Sequence, residues 1–198
     1  MSDVFKNMTD ILNLGHGTQS RLAELNGIVA ERIRETDNAY VHRLFEELLE
    51  LVAETDVSRM AAKEERLDAL GRDLSAVCME LLKEAELMLA MRSANDSLLK
   101  RLREDIKKAE DHADTEECAA IPDAVSRADA LRRRAAELRV TLNVGVGFSE
   151  QIRLHEKNLR SLAERIKDVA LNLIPLLRGR ISAEHSRILI SEIKEMMV

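Results

Sequence analysis

The stretch DHADTEEC at residues 111–118 brings together residue types that bind metal ions. It holds His112, Asp114, Glu116, Glu117 and Cys118, and imidazole, carboxylate and thiolate groups are common protein ligands of zinc. However, the five histidines of the chain show no metal spacing such as HExxH. We therefore expect a solvated acidic loop with no metal, cofactor or catalytic group, in which an exposed Cys118 is open to oxidation.

Gly145 and Gly147 lie two positions apart within a helical pattern. A phosphate-binding loop would follow a strand and precede a Lys-Ser/Thr pair, and this stretch has neither. The apolar spacing instead slips at Gly145, which a helix absorbs by overwinding or bending, and glycine also permits a close backbone approach. We predict a hinge or tight crossing in a kinked, continuous helix, with a break capped by Ser149 as the alternative.

Three short amphipathic helices are predicted from apolar residues at helical spacing. They cover residues 3–13, about 20–35 and about 39–54. Gly15 and Gly17 are expected to break the chain after the first helix, with Thr18 or Ser20 capping the second.

Two longer runs of apolar residues recur at steps of three and four. The first seam contains Leu67, Leu70, Leu74, Val77, Leu81, Ala85, Met88, Met91, Asn95, Leu99, Leu102, Ile106 and Ala109. The second seam contains Leu131, Ala135, Leu138, Leu142, Gly145, Phe148, Ile152, His155, Leu159, Leu162, Ile166, Val169 and Leu173. This spacing predicts two long helices paired as in a coiled coil. We expect Asp123 to cap the return helix and Pro175 to kink or stop it after Asn172.

These elements predict an all-α, elongated helical bundle: a long antiparallel coiled-coil-like hairpin with a small N-terminal helical cap. The expected division is 1–57 for the short helices and 58–198 for the hairpin and a C-terminal helix. The composition agrees, since 45% of residues are hydrophobic, 33% are charged and only 2% are aromatic, which leaves little material for sheets.

The charge and cysteine content narrow the cellular context. A net charge of −6 disfavours a nucleic-acid partner, and basic runs such as Arg132-Arg133-Arg134 are expected on solvated helix faces. The distant Cys78 and Cys118 indicate reduced thiols, and no apolar run approaches the roughly 18–20 residues of a membrane span. We expect a soluble cytoplasmic protein without direct membrane insertion.

The stretch LRVTLNVGVGFSEQIRLHEKNLRSLAERIKDVALNLIPLLRGRI resembles the C-terminal signature of the TelA family of bacterial toxic-anion (tellurite) resistance proteins. The matching positions are Leu138, Arg139, Thr141, Gln151, Ile152, Arg153, Leu154, Asn158, Leu162, Ile166, Ile174, Pro175, Leu176 and Ile181. The resemblance covers about residues 131–181. Glu150 and Leu177 stand where the family usually has Pro and Trp, and the chain is shorter than most members.

The resemblance implies a role in stress or resistance and supplies no catalytic residues. Arg139, Gln151, Arg153, Asn158 and Pro175 are the signature residues most open to interaction. Gln151, Arg153 and Asn158 flank the second seam, so we expect them to fix helix register by hydrogen bonds across it. An oxyanion site formed with Arg139 is the alternative.

The expected function is that of a non-enzymatic cytoplasmic scaffold or adaptor of the toxic-anion or envelope-stress class. It would dock protein partners along the hairpin, including membrane-associated stress or tellurium-resistance components. Two alternatives remain open: a self-assembling structural coiled-coil protein and an anion- or metal-binding sensor.

Overall fold

The computed structural model describes residues 8–36, 39–53, 59–118 and 123–196, and every regular element in these ranges is helical. The helices are α1 (Met8–Asn13), α2 (His16–Glu35), α3 (Ala39–Ala53), α4 (Met60–Glu117), α5 (Ala124–Asp168) and α6 (Ile174–Met196), with a π-helical segment (Val169–Leu173) between the last two. The all-α prediction and the two long helices are confirmed.

The described residues form two compact units. The first comprises those of Met1–Glu35 and Leu87–Glu156, and the second those of Thr36–Glu86 and Lys157–Val198. Helices α4 and α5 each contribute to both units. The division at residue 57 follows chain order, not these contacts, and it stays a prediction.

Each unit has a hydrophobic core in which α4 packs against α5. In the first unit, Leu102, Ile106, Leu131 and Leu138 enclose Ile11 of α1. In the second, leucines of α3 pack against Leu67, Leu70 and Leu74 of α4 and against Ile166 of the return helix. The predicted seam positions of α4 are all buried or half-buried, as expected of helices that pair through steps of three and four.

Helix α4 continues through the stretch for which the sequence predicted an acidic loop. It extends to Glu117. The small residues Ala109 and Ala113 continue its buried seam and belong, like Leu131, to the core of the first unit, which explains why this stretch is helical. Asp123, the first described residue after Cys118, has φ 73° and directly precedes α5. Its carbonyl accepts a hydrogen bond from the Arg127 N–H at 3.0 Å. Pro122 lies outside the described residues.

The turn between α1 and α2 is tighter than predicted. Gly15 has φ 71°, a left-handed conformation that glycine adopts without steric cost. Helix α2 begins immediately afterwards at His16, so Gly17, Thr18 and Ser20 are helical residues and none of them breaks or caps the chain. The predicted helix over residues 3–13 is described only from Met8 onward.

Pro175 does not stop the return helix. The backbone stays helical through it, and the Ile174 N–H bonds to the carbonyl of Val169, five residues earlier. A π-helical turn holds one residue more than an α-helical turn, so the buried positions after Ile166 are Ala170 and Ile174. The predicted Leu173 is 42% exposed instead. The proline removes one N–H from the helix, and the wider turn lies immediately before it.

Candidate functional site

The most informative polar contact joins α4 to α5 in the first unit. Asn95 is fully buried, and its Nδ2 donates a hydrogen bond to the carbonyl oxygen of Gly145 at 3.1 Å. The Asn95 Oδ1 has no hydrogen-bond partner among the described residues. A buried amide in an apolar seam specifies one register of two helices at some cost in stability. Asn95 is the polar interruption that the first seam showed in the sequence.

Gly145 provides the close approach that the sequence allowed for. A Cβ atom at this position would lie 2.5 Å from Leu99 Cδ2 and 2.9 Å from Leu22 Cδ2. Gly147 has open space instead, with nothing within 4 Å of a Cβ. Helix α5 is continuous through both, so the alternative of a break before Ser149 is wrong. The hinge itself stays a prediction.

Two further side-chain contacts join α4 and α5 beside this amide. The Ser149 hydroxyl donates to Asp96 Oδ1 at 2.8 Å. Arg92 Nη1 donates to Glu156 Oε2 at 3.1 Å, and both side chains are partly buried. Near Gly145, the α4 residues that bond to α5 are therefore Arg92, Asn95 and Asp96. Sequence reasoning missed the two charged ones, because charged residues occur on every face of α4.

Gln151, Arg153 and Asn158, which were expected to fix helix register, do not bond across the seam. Arg153 binds Glu150 of its own helix through two hydrogen bonds of 2.8 and 2.6 Å. This hydrogen bond lowers the pKa of the Glu150 carboxyl and raises that of the Arg153 guanidinium. Gln151 and Asn158 are exposed, and their side chains have no hydrogen-bond partner among the described residues.

Arg139 does not join Arg153 in one anion site. It forms an ion pair with Glu110 of α4. It also lies fourteen residues before Arg153 on α5, which corresponds to about 21 Å along a helix. His155 is half-buried, in keeping with its seam position.

The run Arg132-Arg133-Arg134 was expected on a solvated helix face, and for Arg134 this prediction is wrong. Arg134 is only 9% exposed. Its Nε donates to the carbonyl of Leu14 at 3.0 Å and its Nη2 to Gln19 Oε1 at 2.6 Å. A second bond, from Gln19 Nε2 to the Thr141 hydroxyl at 2.7 Å, adds to this network. Arg134 thus ties the start of α2 and the turn before it to α5.

The other side of the α4–α5 pair in this unit carries an open groove of about 420 Å³. Its apolar residues are Leu99 and Val146, and Ser149 lies beside them. Its charged residues are Arg92, Asp96, Arg103, Glu150 and Arg153. Successive residues of an α-helix are rotated by about 100°. The groove residues of α5 are therefore rotated by about 80–180° around the helix axis from Thr141, the residue that Gln19 of α2 contacts.

A second apolar feature lies on the outer face of α5. Val140, Val144 and Leu154 are 65%, 58% and 46% exposed. Together with the exposed Gly147 and Gln151 they form a strip with steps of four, three, four and three. We call these five residues the outer strip. No described helix covers it, although its spacing is that of a helix-pairing seam.

The acidic stretch before Cys118 is engaged in ion pairs instead of a metal site. Glu116 accepts a hydrogen bond from Arg127 Nη2 at 2.8 Å, and Glu117 pairs with Arg132, which raises the pKa of that guanidinium. In the described part of the chain, no group of three or more His, Cys, Asp or Glu side chains is placed to hold a metal ion.

The two cysteines have different surroundings. Cys78 is buried, and its Sγ donates to the carbonyl of Ala163 at 3.3 Å. Cys118 is exposed, so its thiol is accessible as expected.

Comparison of the chain with protein families, with curated proteins and with solved structures finds no match. The resemblance of residues 131–181 to the TelA family therefore stays a prediction. Of the helices within the described ranges, none combines the length and apolar character needed to span a membrane.

Proposed function

We propose that this protein is a non-enzymatic cytoplasmic scaffold or adaptor that docks a helix of a partner protein on α5. The observation that carries this proposal is the outer strip. Solvent-exposed valines and leucines occur singly on many surfaces, but here they recur at the 4-3 spacing of a helix-pairing seam. That spacing favours a helical occupant over an extended peptide, whose side chains alternate with a period of two.

The composition of the outer strip also suits docking. Val140, Val144 and Leu154 supply apolar area, and each buried apolar side chain contributes roughly 1.5–3 kcal/mol. Gly147, at the centre, lets a second helix come close, as small residues do wherever backbones approach each other. The signature residue Gln151 adds a hydrogen-bonding group to the same face.

The wider role, in resistance to toxic anions or in envelope stress, is part of the same proposal. It is supported by the resemblance of residues 131–181, in which Gln151, Arg153, Asn158 and Pro175 match the TelA pattern. Partners of this class include membrane-associated components, which would place the adaptor at a membrane through another protein.

The test is site-specific photo-crosslinking in the native host, with the crosslinking amino acid at position 144. We expect a covalent product with one other protein. This product should be lost when the same chain also carries Val140→Glu. Val125→Glu is the matched control, because Val125 is an equally exposed valine of α5, about 22 Å along the helix from Val140.

The other outcomes are equally decisive. A product formed only with the chain itself would replace the adaptor with a self-assembling protein, which light scattering would confirm as a concentration-dependent mass. Absence of any product would exclude docking on the outer strip.

For the stress role, a host lacking the protein should lose tellurite tolerance and regain it with the wild-type chain but not with Val140→Glu/Val144→Glu.

A further inference from the structure

Gln151 is the hydrogen-bonding side chain of the outer strip. It is exposed, and its amide has no hydrogen-bond partner among the described residues. Water solvates this amide in the free protein, but a helix that docks on the strip displaces that water. A glutamine amide has two N–H donors and one carbonyl oxygen, and covering these groups without partners costs free energy. The docked state therefore needs a hydrogen-bonding group that reaches Gln151.

The neighbours of Gln151 on α5 do not supply that group. Side chains three or four positions away on a helix are within reach, and for Gln151 these belong to Gly147, Phe148, Leu154 and His155. Glycine has no side chain, and those of Phe148 and Leu154 have no polar atom. His155 is half-buried and already takes part in another interaction. The hydrogen bond must therefore come from the docked helix.

The charged residues of this part of α5 do not lie on the strip. Between residues 138 and 156 they are Arg139, Glu150, Arg153 and Glu156. Helical geometry places them about 80–160° around the axis from the centre line of the strip. All four form ion pairs, either with α4 or within α5. A charge on the docked helix would thus be desolvated against the strip without a counter-charge, which is unfavourable.

Gly147 brings the docked helix close to Gln151. A Cβ atom at Gly147 would have nothing within 4 Å, and this position lies one helical turn from Gln151. A helix seated against glycine approaches more closely than one seated against a larger residue. Little room is then left for a water molecule that could bridge to the amide, which makes a direct side-chain hydrogen bond the remaining solution.

We infer that Gln151 selects the partner of the outer strip. The helix that docks there carries Asn, Gln, Ser or Thr opposite Gln151 and apolar or small residues at its other contact positions. A buried amide has this role in coiled coils, where it specifies the pairing at a cost in stability. The inference rests on the proposed adaptor function and gives the chemistry of its partner.

The test is selection from a displayed library of helix-favouring peptides whose contact positions vary among Leu, Ala, Gln, Ser, Glu and Lys. Wild-type protein should enrich peptides with one Gln or Ser among Leu and Ala, and Gln151→Leu should enrich peptides with Leu and Ala alone. In fluorescence anisotropy, replacing that Gln or Ser with Leu should weaken binding to the wild type about tenfold and strengthen binding to Gln151→Leu.

Asn158→Leu is the matched control, because it alters an exposed amide of α5 outside the outer strip and should keep the wild-type preference. Val140→Glu should abolish enrichment, and circular dichroism melting checks that each variant is folded. Wild-type enrichment of purely apolar or charged peptides, no enrichment, or enrichment that survives Val140→Glu would overturn the inference. An unchanged preference in Gln151→Leu would also overturn it. Crosslinking at position 144 reports docking itself, so the adaptor function is tested separately from this preference.

Discussion

At the scale of single residues, Gly145 and Gly147 are the same residue type on the same helix, but only Gly145 is closely packed. A methyl group at Gly145 would press on Leu99 and Leu22, both of which are almost fully buried and cannot swing into solvent. At Gly147 a methyl group meets open space. The gain in helix propensity on replacing glycine with alanine, roughly 1 kcal/mol, is common to both positions.

The two alanine variants should therefore differ in sign or size. Gly147→Ala should raise the free energy of unfolding by about 0.5–1 kcal/mol. The free energy of unfolding of Gly145→Ala should be about 1–3 kcal/mol lower than that of Gly147→Ala, which is the usual cost of overpacking a core. Urea denaturation of the two variants beside the wild type measures this difference directly. Equal stabilisation by both would show that the Leu22 and Leu99 side chains yield freely.

The same pair shows what the sequence could and could not predict at this site. The slip in apolar spacing identified Gly145 as an unusual position, because spacing is a property of one helix. It could not separate Gly145 from Gly147, since the difference comes from Leu22 and Leu99 on two other helices. Arg153 was expected to bond across the seam, yet it binds Glu150 of its own helix, because a carboxylate three residues away on a helix lies within reach of it.

At the scale of elements, helical spacing predicted α3 and both long helices, and it failed where packing overrides local signals. The acidic residues before Cys118 suggested a loop, yet the buried Ala109 and Ala113 keep α4 helical to Glu117. Pro175 suggested an end to the helix, yet the π-helical turn at Val169–Leu173 carries the backbone past it. Ala109 ended the predicted seam, but neither Ala113 nor the wider turn was identified from the sequence.

Arg134 is the element-scale contact that we expect to matter most for stability. Replacing it with alanine removes charged donors from the Leu14 carbonyl and from Gln19 Oε1. Hydrogen bonds that involve a charged group contribute about 1.5–3 kcal/mol, so Arg134→Ala should lower the free energy of unfolding by about 2–3 kcal/mol. Amide hydrogen exchange should rise first in α2.

The neighbouring Arg133 gives a matched control for this prediction. It is exposed and occupies the same helix, so Arg133→Ala should change stability by no more than about 0.5 kcal/mol. Arg134→Lys should recover only part of the loss, because an ammonium group cannot reproduce the planar fork of a guanidinium. Equal effects at 133 and 134 would mean that α2 is held by its apolar contacts alone.

At the scale of the whole molecule, the described residues contain two cores that share no side chain. One is built around Leu102 and Leu138, and the other around Leu70 and Leu74. Helices α4 and α5 run through both units without interruption. Stability can therefore differ between the units, as it does among separately packed regions of other proteins.

Leu102→Ala and Leu70→Ala test this separation, since both leucines are at least 98% buried and such truncations cost about 2–5 kcal/mol. We expect Leu102→Ala to speed amide hydrogen exchange in α1, α2 and residues 87–156, and Leu70→Ala to speed it in α3 and residues 157–196. Leu49→Ala, which alters a 68%-exposed leucine of α3, should change neither. A uniform rise along the chain with either core variant would show that the two long helices make the molecule a single cooperative unit. A rise confined to the first unit with Leu102→Ala would mean that this unit, which carries the groove and the outer strip, opens while the second stays folded.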